Sequence, residues 1–330
     1  MVRVVVDAMG GDEEPSVVLE GIELALAADE ELEVVVAGNE DVVVPFCAKH
    51  SRAEALVTTE VIEMAEHPTE AVRKKKDSSI VRGCYAIRHG EADAFFSAGS
   101  TGAILAAGTL VVGRVKGVKR AALATAMPGV GGHVTTFLDL GANADCPPEM
   151  IVQFAHMGTA YSKLVVGKDN PTVGLLNNGT EETKGSEAAL ARHAALAAEE
   201  GINFAGNCEG RDLLCGEVDV IVTDGFTGNV AVKTVEGTAK FIVSALKDAA
   251  AKNLLVAAGA LAIKPALKGV AGLLSGDQYG GAALLGLKAP VLVGHGKTNP
   301  EAIKNGTLAA ADCVRQDLCG KIAAAMAPKA

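Results

Sequence analysis

Short apolar runs that end in polar, glycine-bearing loops recur along this chain, and they constrain its fold more than any other feature. Residues 218–222 form one such run, the loop 224–229 follows, and apolar residues recur at helical spacing from Val230. Strand-like and helix-like segments alternate in this way throughout the 330 residues. The alternation predicts an α/β fold in which a mostly parallel sheet lies between two layers of helices, a three-layer α/β/α sandwich.

Six polar glycine loops, each just past a predicted strand, are the candidates for a functional site. They span residues 7–12, 97–102, 139–145, 177–185, 207–212 and 224–229. Ligands of open α/β sheets bind where strands end, and free N–H groups at a helix start favour an anion. We therefore expect the six loops to share one cleft edge that holds a phosphate-like group. For any single loop, ordinary turn chemistry explains the Gly and Asn residues equally well.

Lys184 is the most informative cation in these loops. The pattern places it in the first turn of a helix, where a lysine opposes the helix macrodipole. A bound anion would explain that position, and so would pairing with Glu181 or Glu187. Because no His lies inside the six loops, they favour stabilisation by amide donors over a Ser–His–Asp arrangement.

Composition and missing motifs exclude several classes of function. Aromatic residues make up 3%, Trp is absent and the net charge is −10, which argues against a nucleic-acid-binding module. The seven Cys contain no CxxC pair, so a zinc ribbon is not expected, and the loops call for no cofactor. The GxGxxG fingerprint, the P-loop, HExxH and GxSxG are all absent. The start of the chain shows no signal-peptide pattern, so a cytoplasmic protein with reduced thiols is expected.

The chain resembles the phosphate acyltransferases of bacterial phospholipid synthesis, the PlsX family, in eight collinear segments. These are VDAMGGD, RKKKDSS, SAGSTGA, DLGAN, LLNNGTEETKGSE, GRDLL, VTDGFTGNVAVKTVEG and YGGAALLGLKAPV. The resemblance implies transfer of a fatty acyl group from acyl carrier protein to inorganic phosphate, by a cytosolic homodimer. The acyl phosphate would then serve a membrane-bound glycerol-3-phosphate acyltransferase. It also implies a fold similar to phosphotransacetylases and to isocitrate and isopropylmalate dehydrogenases.

The resemblance also assigns roles to residues of the predicted loops. Lys184 would bind phosphate or polarise the thioester carbonyl, and Asn229 would donate to the oxyanion or to phosphate. Asp224 would hold its loop or take part in catalysis. Further contacts to phosphate or thioester are expected from Thr227, Gly228, Ser97, Ser100, Thr101, Asn143, Asn178, Gly179 and Thr180. Ser100 departs from the family pattern, in which this position is Asn, and so does Cys208, where a branched aliphatic residue is expected.

An acidic carrier protein has to meet a local basic patch on a chain whose own charge is negative. One candidate patch consists of Arg73, Lys74, Lys75, Lys76 and Arg82. The other consists of Arg114, Lys116, Lys119 and Arg120. Each patch is equally well explained as a solvated charge run.

We expect residues 1–330 to form a single α/β catalytic unit, with two lobes around a cleft as the alternative. Residues 248–280 are predicted to form an apolar helical hairpin. Within it, residues 254–274 would pack against a partner subunit or lie peripherally on the inner face of the cell membrane. The alternative function is an NAD(P)-dependent decarboxylating dehydrogenase on the related fold, since such enzymes also lack GxGxxG. The sequence leaves open the acyl chain preference, any metal requirement, and whether coenzyme A replaces the carrier protein.

Overall fold

A computed structural model describes residues 1–252 and 280–327 of the chain. Its described strands form one sheet of eleven, in the order β3-β2-β1-β4-β11-β10-β5-β6-β9-β7-β8. The strands are β1 (Val2–Asp7), β2 (Leu32–Gly38), β3 (Ala53–Val57), β4 (Ala94–Ser97), β5 (Ala122–Pro128), β6 (Val134–Leu138), β7 (Thr172–Leu176), β8 (Asn203–Cys208), β9 (Val220–Val222), β10 (Ala282–Leu285) and β11 (Val291–Val293).

Helices connect most of the strands and cover both faces of the sheet. The described helices are α1 (Pro15–Ala28), α2 (Glu40–Cys47), α3 (Pro68–Lys74), α4 (Ser79–His89), α5 (Thr101–Ala107), α6 (Pro148–Tyr161), α7 (Glu187–Ala198), α8 (Asp212–Cys215), α9 (Gly225–Lys252), α10 (Pro300–Arg315) and α11 (Leu318–Ala325). Two π-helical turns, Gly108–Val112 and Ser162–Val166, continue α5 and α6.

Alternation along the strands divides the core into two layers, one on each face of the sheet. Phe96 belongs to the layer under α1, α2, α6, α7, α10 and α11. Its neighbour Phe95 belongs to the layer under α3, α4, α5, α8 and α9. Because side chains of successive strand residues point to opposite faces, a strand buried on both faces reads as a continuous apolar run. The predicted three-layer α/β/α architecture with a mostly parallel sheet is confirmed.

The sheet consists of two parallel halves that run in opposite directions. Strands β3, β2, β1, β4 and β11 run parallel to one another, as do β6, β9, β7 and β8. Between them lie three antiparallel pairings, β11 with β10, β10 with β5, and β5 with β6. Three reversals leave the two halves opposed. We call the edge at the carboxyl ends of β1 and β4 the first edge, and that at the carboxyl ends of β6 to β9 the second edge.

This reversal corrects the expectation that all six loops share one cleft edge. Loops 7–12 and 97–102 follow β1 and β4 and therefore lie at the first edge. Loops 139–145, 177–185, 207–212 and 224–229 follow β6, β7, β8 and β9 and lie at the second edge. The carboxyl ends of parallel strands meet at one edge only while the strands keep one direction.

The predicted hairpin 248–280 falls mainly outside the described residues. Helix α9 enters it and is described as far as Lys252. No helix in the described part of the chain is long and apolar enough to cross a membrane.

Candidate active site

Four loops stand side by side at the second edge, because β6, β9, β7 and β8 are neighbours in the sheet. The loop 224–229 occupies the centre, between the loops 139–145 and 177–185. Helix α9 begins there at Gly225, five residues earlier than the apolar pattern predicts. The residues from Gly225 to Asn229 are thus the first turn of a helix rather than a separate turn before it.

Asp224 holds the start of α9. Its Oδ1 accepts a hydrogen bond from the N–H of Thr227 at 2.8 Å, and its backbone oxygen accepts one from Gly228 at 2.9 Å. Its Oδ2 lies 2.7 Å from Nη1 of Arg192, a side chain buried on α7. Burial alone would raise the pKa of Asp224, but the hydrogen bonds from Thr227 and Arg192 outweigh it and lower that pKa. Both carboxylate oxygens are engaged, which favours the role of holding the loop over general-base catalysis.

Two glycines let the first turn of α9 sit directly on the loop 139–145. A Cβ added to Gly225 would lie 2.7 Å from the backbone oxygen of Asn143, and one added to Gly228 would overlap the backbone oxygen of Asp139. The N–H of Gly225 donates to that Asn143 oxygen at 2.7 Å. The amides of Gly225, Thr227 and Gly228 are therefore already satisfied within the protein. Gly228 serves close packing here, and not the donation to substrate that the sequence predicts.

Asp139 is a fully buried carboxylate beneath this turn. It accepts hydrogen bonds from the N–H of Leu123 at 2.9 Å and from both the N–H and Nδ2 of Asn143, at 2.8 and 2.9 Å. Burial raises the pKa of Asp139, and these hydrogen bonds offset the rise only in part. Asn143 also donates through Nδ2 to the backbone oxygen of Ala121 at 2.8 Å. The predicted substrate contact Asn143 is therefore committed to the loop.

Asn229 and Thr227 are the polar side chains that this turn leaves exposed. Nδ2 of Asn229 donates to the backbone oxygen of Leu140 at 3.0 Å, which fixes the amide at the surface of the edge. A side-chain amide has two hydrogens and an acceptor oxygen, so one contact leaves capacity for another. The arrangement suits a donor that is held in place before substrate arrives.

Lys184 lies in the neighbouring loop, but its setting differs from the prediction. Helix α7 begins only at Glu187, and Ser186 caps it by accepting a hydrogen bond from the N–H of Ala189. Lys184 is therefore outside the helix, and the argument from an unfavourable macrodipole position does not hold. Its side chain is exposed, and within the described residues it forms no ion pair with Glu181 or Glu187.

The loop that carries Lys184 is fixed from two sides. Nδ2 of Asn177 donates to the backbone oxygen of Lys184 at 3.1 Å. Nδ2 of Asn207, in the loop after β8, donates to the backbone oxygen of Glu181 at 2.9 Å, and Oδ1 of Asn207 lies 2.9 Å from Nδ1 of His193. Gly185 adopts a φ of +101°, which glycine tolerates best. The predicted contacts Asn178 and Thr180 are exposed in this loop, and Gly179 is buried against the Lys184 side chain.

Four supporting residues escaped the sequence analysis, namely Asp139, Arg192, His193 and Asn207, although two of their loops were predicted. Asp139 opens the DLGAN segment, whose position after a strand was the available signal. Arg192 and His193 lie in an Ala-rich helical pattern that is typical of a surface helix. No spacing rule predicts that these two neighbouring side chains contact two different loops.

The first edge carries a separate polar cluster. Ser97 donates through Oγ to Oδ2 of buried Asp7 at 2.7 Å, and the N–H of Gly99 donates to Ser97 Oγ at 3.0 Å. Burial raises the pKa of Asp7 despite hydrogen bonds from Ser79, Ser97 and the backbone. Ser100 is buried and Thr101 exposed at the start of α5. The fold therefore does not bring Ser97, Ser100 and Thr101 to the edge that carries Lys184 and Asn229.

The first predicted basic patch also lies toward the first edge. Three of its cations are neutralised locally: Lys74 pairs with Glu70 at 3.0 Å, Lys75 with Glu66 at 2.5 Å and Arg82 with Asp77 at 2.6 Å. Asp77 in turn accepts a hydrogen bond from the hydroxyl of Thr59, just past β3. Arg73 and Lys76 are exposed beside them. This geometry favours the solvated charge run as the explanation of the patch.

Comparison with known proteins identifies the family. The family model described as "Fatty acid synthesis protein" matches residues 2–321. A phosphate acyltransferase of Bacillus pumilus (strain SAFR-032) is 43% identical over 316 residues, which covers 96% of this chain and 95% of that protein. The chain belongs to the fatty acid synthesis protein family. A second member of the family, a phosphate acyltransferase of Levilactobacillus brevis, is 48% identical over 307 residues, or 92% of this chain and 89% of that protein.

Two solved phosphotransacetylases share this fold. The EutD phosphotransacetylase from Staphylococcus aureus aligns with a TM-score of 0.60 at 19% identity and covers 95% of this chain and 94% of that chain. A phosphotransacetylase from Streptococcus pyogenes aligns equally well, with a TM-score of 0.60 at 15% identity. The expected likeness to phosphotransacetylases and the resemblance to phosphate acyltransferases are confirmed. These relatives give no support to the alternative of a dehydrogenase.

Proposed function

We propose that this chain moves a fatty acyl group from the thioester of acyl carrier protein to inorganic phosphate, which yields acyl phosphate and free carrier protein. The names of its relatives support acyl transfer to phosphate. One observation on the site carries the proposal. The exposed Lys184, without an ion pair among the described residues, shares an edge with the exposed Thr227 and Asn229. A cation next to held hydrogen-bond donors suits a phosphate that has to approach a carbonyl.

The reaction then needs positioning and charge stabilisation more than a base. A phosphate oxygen attacks the thioester carbonyl carbon, a C–O bond forms, and the carbonyl electron pair moves onto oxygen. When the oxyanion collapses, the C–S bond breaks, and the thiolate of the carrier takes a proton from solvent. Phosphate is already an anionic nucleophile, so the engagement of Asp224 and Asp139 within the protein does not hinder the reaction.

A covalent acyl-cysteine intermediate does not fit this site. Cys146 is the thiol nearest the loop 139–145 along the chain, and it is buried with its Sγ against the backbone oxygen of Asn143. Burial raises the pKa of the Cys146 thiol to about 12. Because the thiolate is the nucleophile, the acyl group passes directly from thioester to phosphate.

Within this mechanism Lys184 binds the phosphate or the carbonyl oxygen as a cation. Asn229 donates a hydrogen bond through its side-chain amide, and Thr227 adds a hydroxyl. Asp224, Asp139 and Arg192 fix the turn that carries both donors. Preorganised donors of this kind are worth most where they meet charge that develops in the transition state.

A homodimer in the cytoplasm is part of the proposal. Apolar side chains on α9 support it, since Phe226 and Phe241 are 68% and 71% exposed. An apolar surface of this kind suits a protein partner. Residues 254–274 lie outside the described residues, and their contact with a partner subunit or with the inner face of the membrane stays a prediction. Contact with a glycerol-3-phosphate acyltransferase stays a prediction as well.

The test is to measure acyl phosphate by mass spectrometry after incubation of acyl carrier protein thioester with phosphate. We expect wild-type protein to form acyl phosphate, and Lys184→Ala to lower kcat/KM for phosphate by roughly 100-fold, as for removal of one oxyanion donor. Lys184→Arg should retain part of the activity because it keeps the charge. Glu182→Ala, an exposed change in the same loop, is the control and should match wild type. Full turnover of Lys184→Ala at low phosphate would contradict the role of Lys184.

A further inference from the structure

A groove of about 380 Å³ opens where the C-terminal end of α4 meets the π-helical turn after α5. Its lining includes the apolar side chains Ile87, Leu110 and Val112, of which Leu110 is 49% exposed. Two cations, Arg88 and Lys288, also line it. We call this feature the Arg88 groove.

The cations around the Arg88 groove are not neutralised. Nη1 of Arg88 donates to the backbone oxygen of Val111 at 2.9 Å, which orients the guanidinium without cancelling its charge. Lys288, Arg114 and Arg120 are exposed, and none of them forms an ion pair within the described residues. The chain as a whole carries a net charge of −10. An uncompensated basic surface on an acidic protein marks a place where an acidic partner is attracted.

The groove lies toward the same edge of the sheet as the candidate active site. The N–H of Lys288 donates to the backbone oxygen of Gly113 at 3.0 Å, and Arg114 bridges to Leu287 just past β10. Leu285 of β10 pairs with Ala122 of β5. Two residues before Ala122 lies Arg120, and the intervening Ala121 accepts the hydrogen bond from Asn143. The groove therefore lies toward the second edge, to which the loop under α9 also belongs.

The groove also lies on the same face of the sheet as α9. Helices α4, α5 and α9 all cover the core layer that contains Phe95 and Phe137. A protein seated on the groove would thus face Thr227 and Asn229 from the same side of the sheet, with β9 five strands from β4, roughly 24 Å away. The first basic patch, Arg73 to Lys76 with Arg82, lies toward the first edge instead.

We infer that the Arg88 groove is the docking surface for the acidic acyl carrier protein. This inference rests on the proposed function, because it assigns the carrier a place at the same site. Carboxylates of the carrier pair with Arg88, Lys288, Arg114 and Arg120, while an apolar side chain of the carrier covers Leu110. The charges give association rate and orientation, and the exposed Leu110 gives apolar contact area.

The experiment compares the kinetics of Lys288→Glu and Arg88→Glu with wild type. Each reversal should raise KM for acyl carrier protein by 10-fold or more, while KM for phosphate and kcat stay within twofold. Lys288→Glu keeps the test valid if Arg88→Glu disturbs the turn at Val111, because no described side chain depends on Lys288. The matched control is Lys297→Glu, the same change of charge on an exposed residue past β11 at the first edge, which should behave as wild type.

Direct binding of fluorescently labelled carrier protein by anisotropy separates this inference from the proposed function. If wild-type protein forms no acyl phosphate, the proposed function fails, and the anisotropy of the same variants still decides the docking surface. Unchanged carrier binding and KM in both reversals would overturn the inference. So would a rise in KM from Lys76→Glu alone, which would assign the carrier to the first basic patch. Loss of binding to vesicles of anionic phospholipid, with carrier binding intact, would make the groove a membrane contact instead.

Discussion

At the scale of single residues, the site contains two kinds of polar side chain. One kind holds the loops in place, and the other is exposed and can contact a substrate. The first kind comprises Asp224, Asp139 and Asn143, which form hydrogen bonds with the backbone around them. Lys184 is exposed, and Thr227 and Asn229 are both held and exposed. Both groups follow strands in polar glycine loops, so the sequence pattern selects them together. Only the partners of each atom distinguish a fixed carboxylate from a reactive one.

The Asp224 carboxylate should make the stability of the protein depend on pH in a defined direction. Its pKa is lowered in the folded state, so its contribution is present above its unfolded pKa of about 3.9 and is lost as pH falls through the lower folded value. Asp224→Asn should lower the free energy of unfolding at pH 7 by about 2 kcal/mol, as for a lost charged hydrogen bond.

Urea unfolding at pH 7 and at successively lower pH measures this difference, which should shrink as wild type is protonated. Asp145→Asn is the control, since that side chain is 97% exposed and lies 3.5 Å from Nη2 of Arg192. A difference that stays constant to the lowest pH would contradict the assignment to the carboxylate charge.

At the scale of secondary structure, the first turn of α9 is the element on which the candidate site depends. Its packing requires glycine at positions 225 and 228, because the loop 139–145 fills the space that a side chain would occupy. The same helix contains Gly237, around which no atom lies within 4 Å of an added Cβ. The two glycine positions thus offer opposite outcomes for one kind of substitution.

Gly228→Ala should destabilise the protein by about 1–3 kcal/mol, the usual cost of overpacking, and should lower kcat by displacing Asn229. Gly237→Ala should stabilise it by up to about 1 kcal/mol, since Ala has the higher helix propensity. Thermal unfolding and acyl phosphate formation, measured on both variants, test the pair. Equal stability of the two variants would contradict the close packing of the turn on Asp139.

Much of the element structure follows from the sequence, but the direction of the strands does not. Short buried runs form both β4 and β6, which run in opposite directions, because a buried run indicates that a strand is covered on both faces but not in which direction it runs. The signal that was missed is the connection between β5 and β6. Residues 129–133 are too few for a helical crossover and contain three glycines, so they join two antiparallel strands. That hairpin, together with β10, moves the loops 7–12 and 97–102 to the first edge.

The position of Lys184 shows a second limit of predicting secondary structure from the sequence. Ser186 followed by Glu187 and an Ala-rich run is a helix start that capping rules predict. The prediction placed the helix start before Lys184, because the polar loop and the helix share the same kinds of residue. The loop itself was selected correctly as a polar loop past a strand, since Gly179 and Gly185 mark its turns. Its long-range fixation by Asn207 and His193 depends on tertiary contacts that no local pattern contains.

At the scale of the whole molecule, the burial of the cysteine thiols shows how completely the core excludes solvent. Burial raises the pKa of Cys146 and of Cys208 to about 12, and Cys84 and Cys313 are buried as well. Cys215 is exposed, and all seven thiols are free. The thiols are therefore distributed between one accessible position and six that are wholly or partly covered.

Native protein should react rapidly with iodoacetamide at Cys215 only, and the alkylated protein should retain its acyl transfer activity. All seven thiols should react once the protein is unfolded. Mass spectrometry of intact and digested protein measures the sites, with Cys215→Ser as the variant that removes the rapid phase. Inactivation that follows alkylation of Cys146 would contradict direct transfer to phosphate.

The central position of β10 and β11 in the sheet has a consequence for how the protein acquires its structure during synthesis. These strands come late in the chain, yet they fill the space between β4 and β5, about 150 or more residues earlier in sequence. A nascent chain that stops short of residue 282 presents two unpaired strand edges, which are sites of aggregation. The two halves of the sheet therefore become one cooperative unit only after β10 and β11 have left the ribosome.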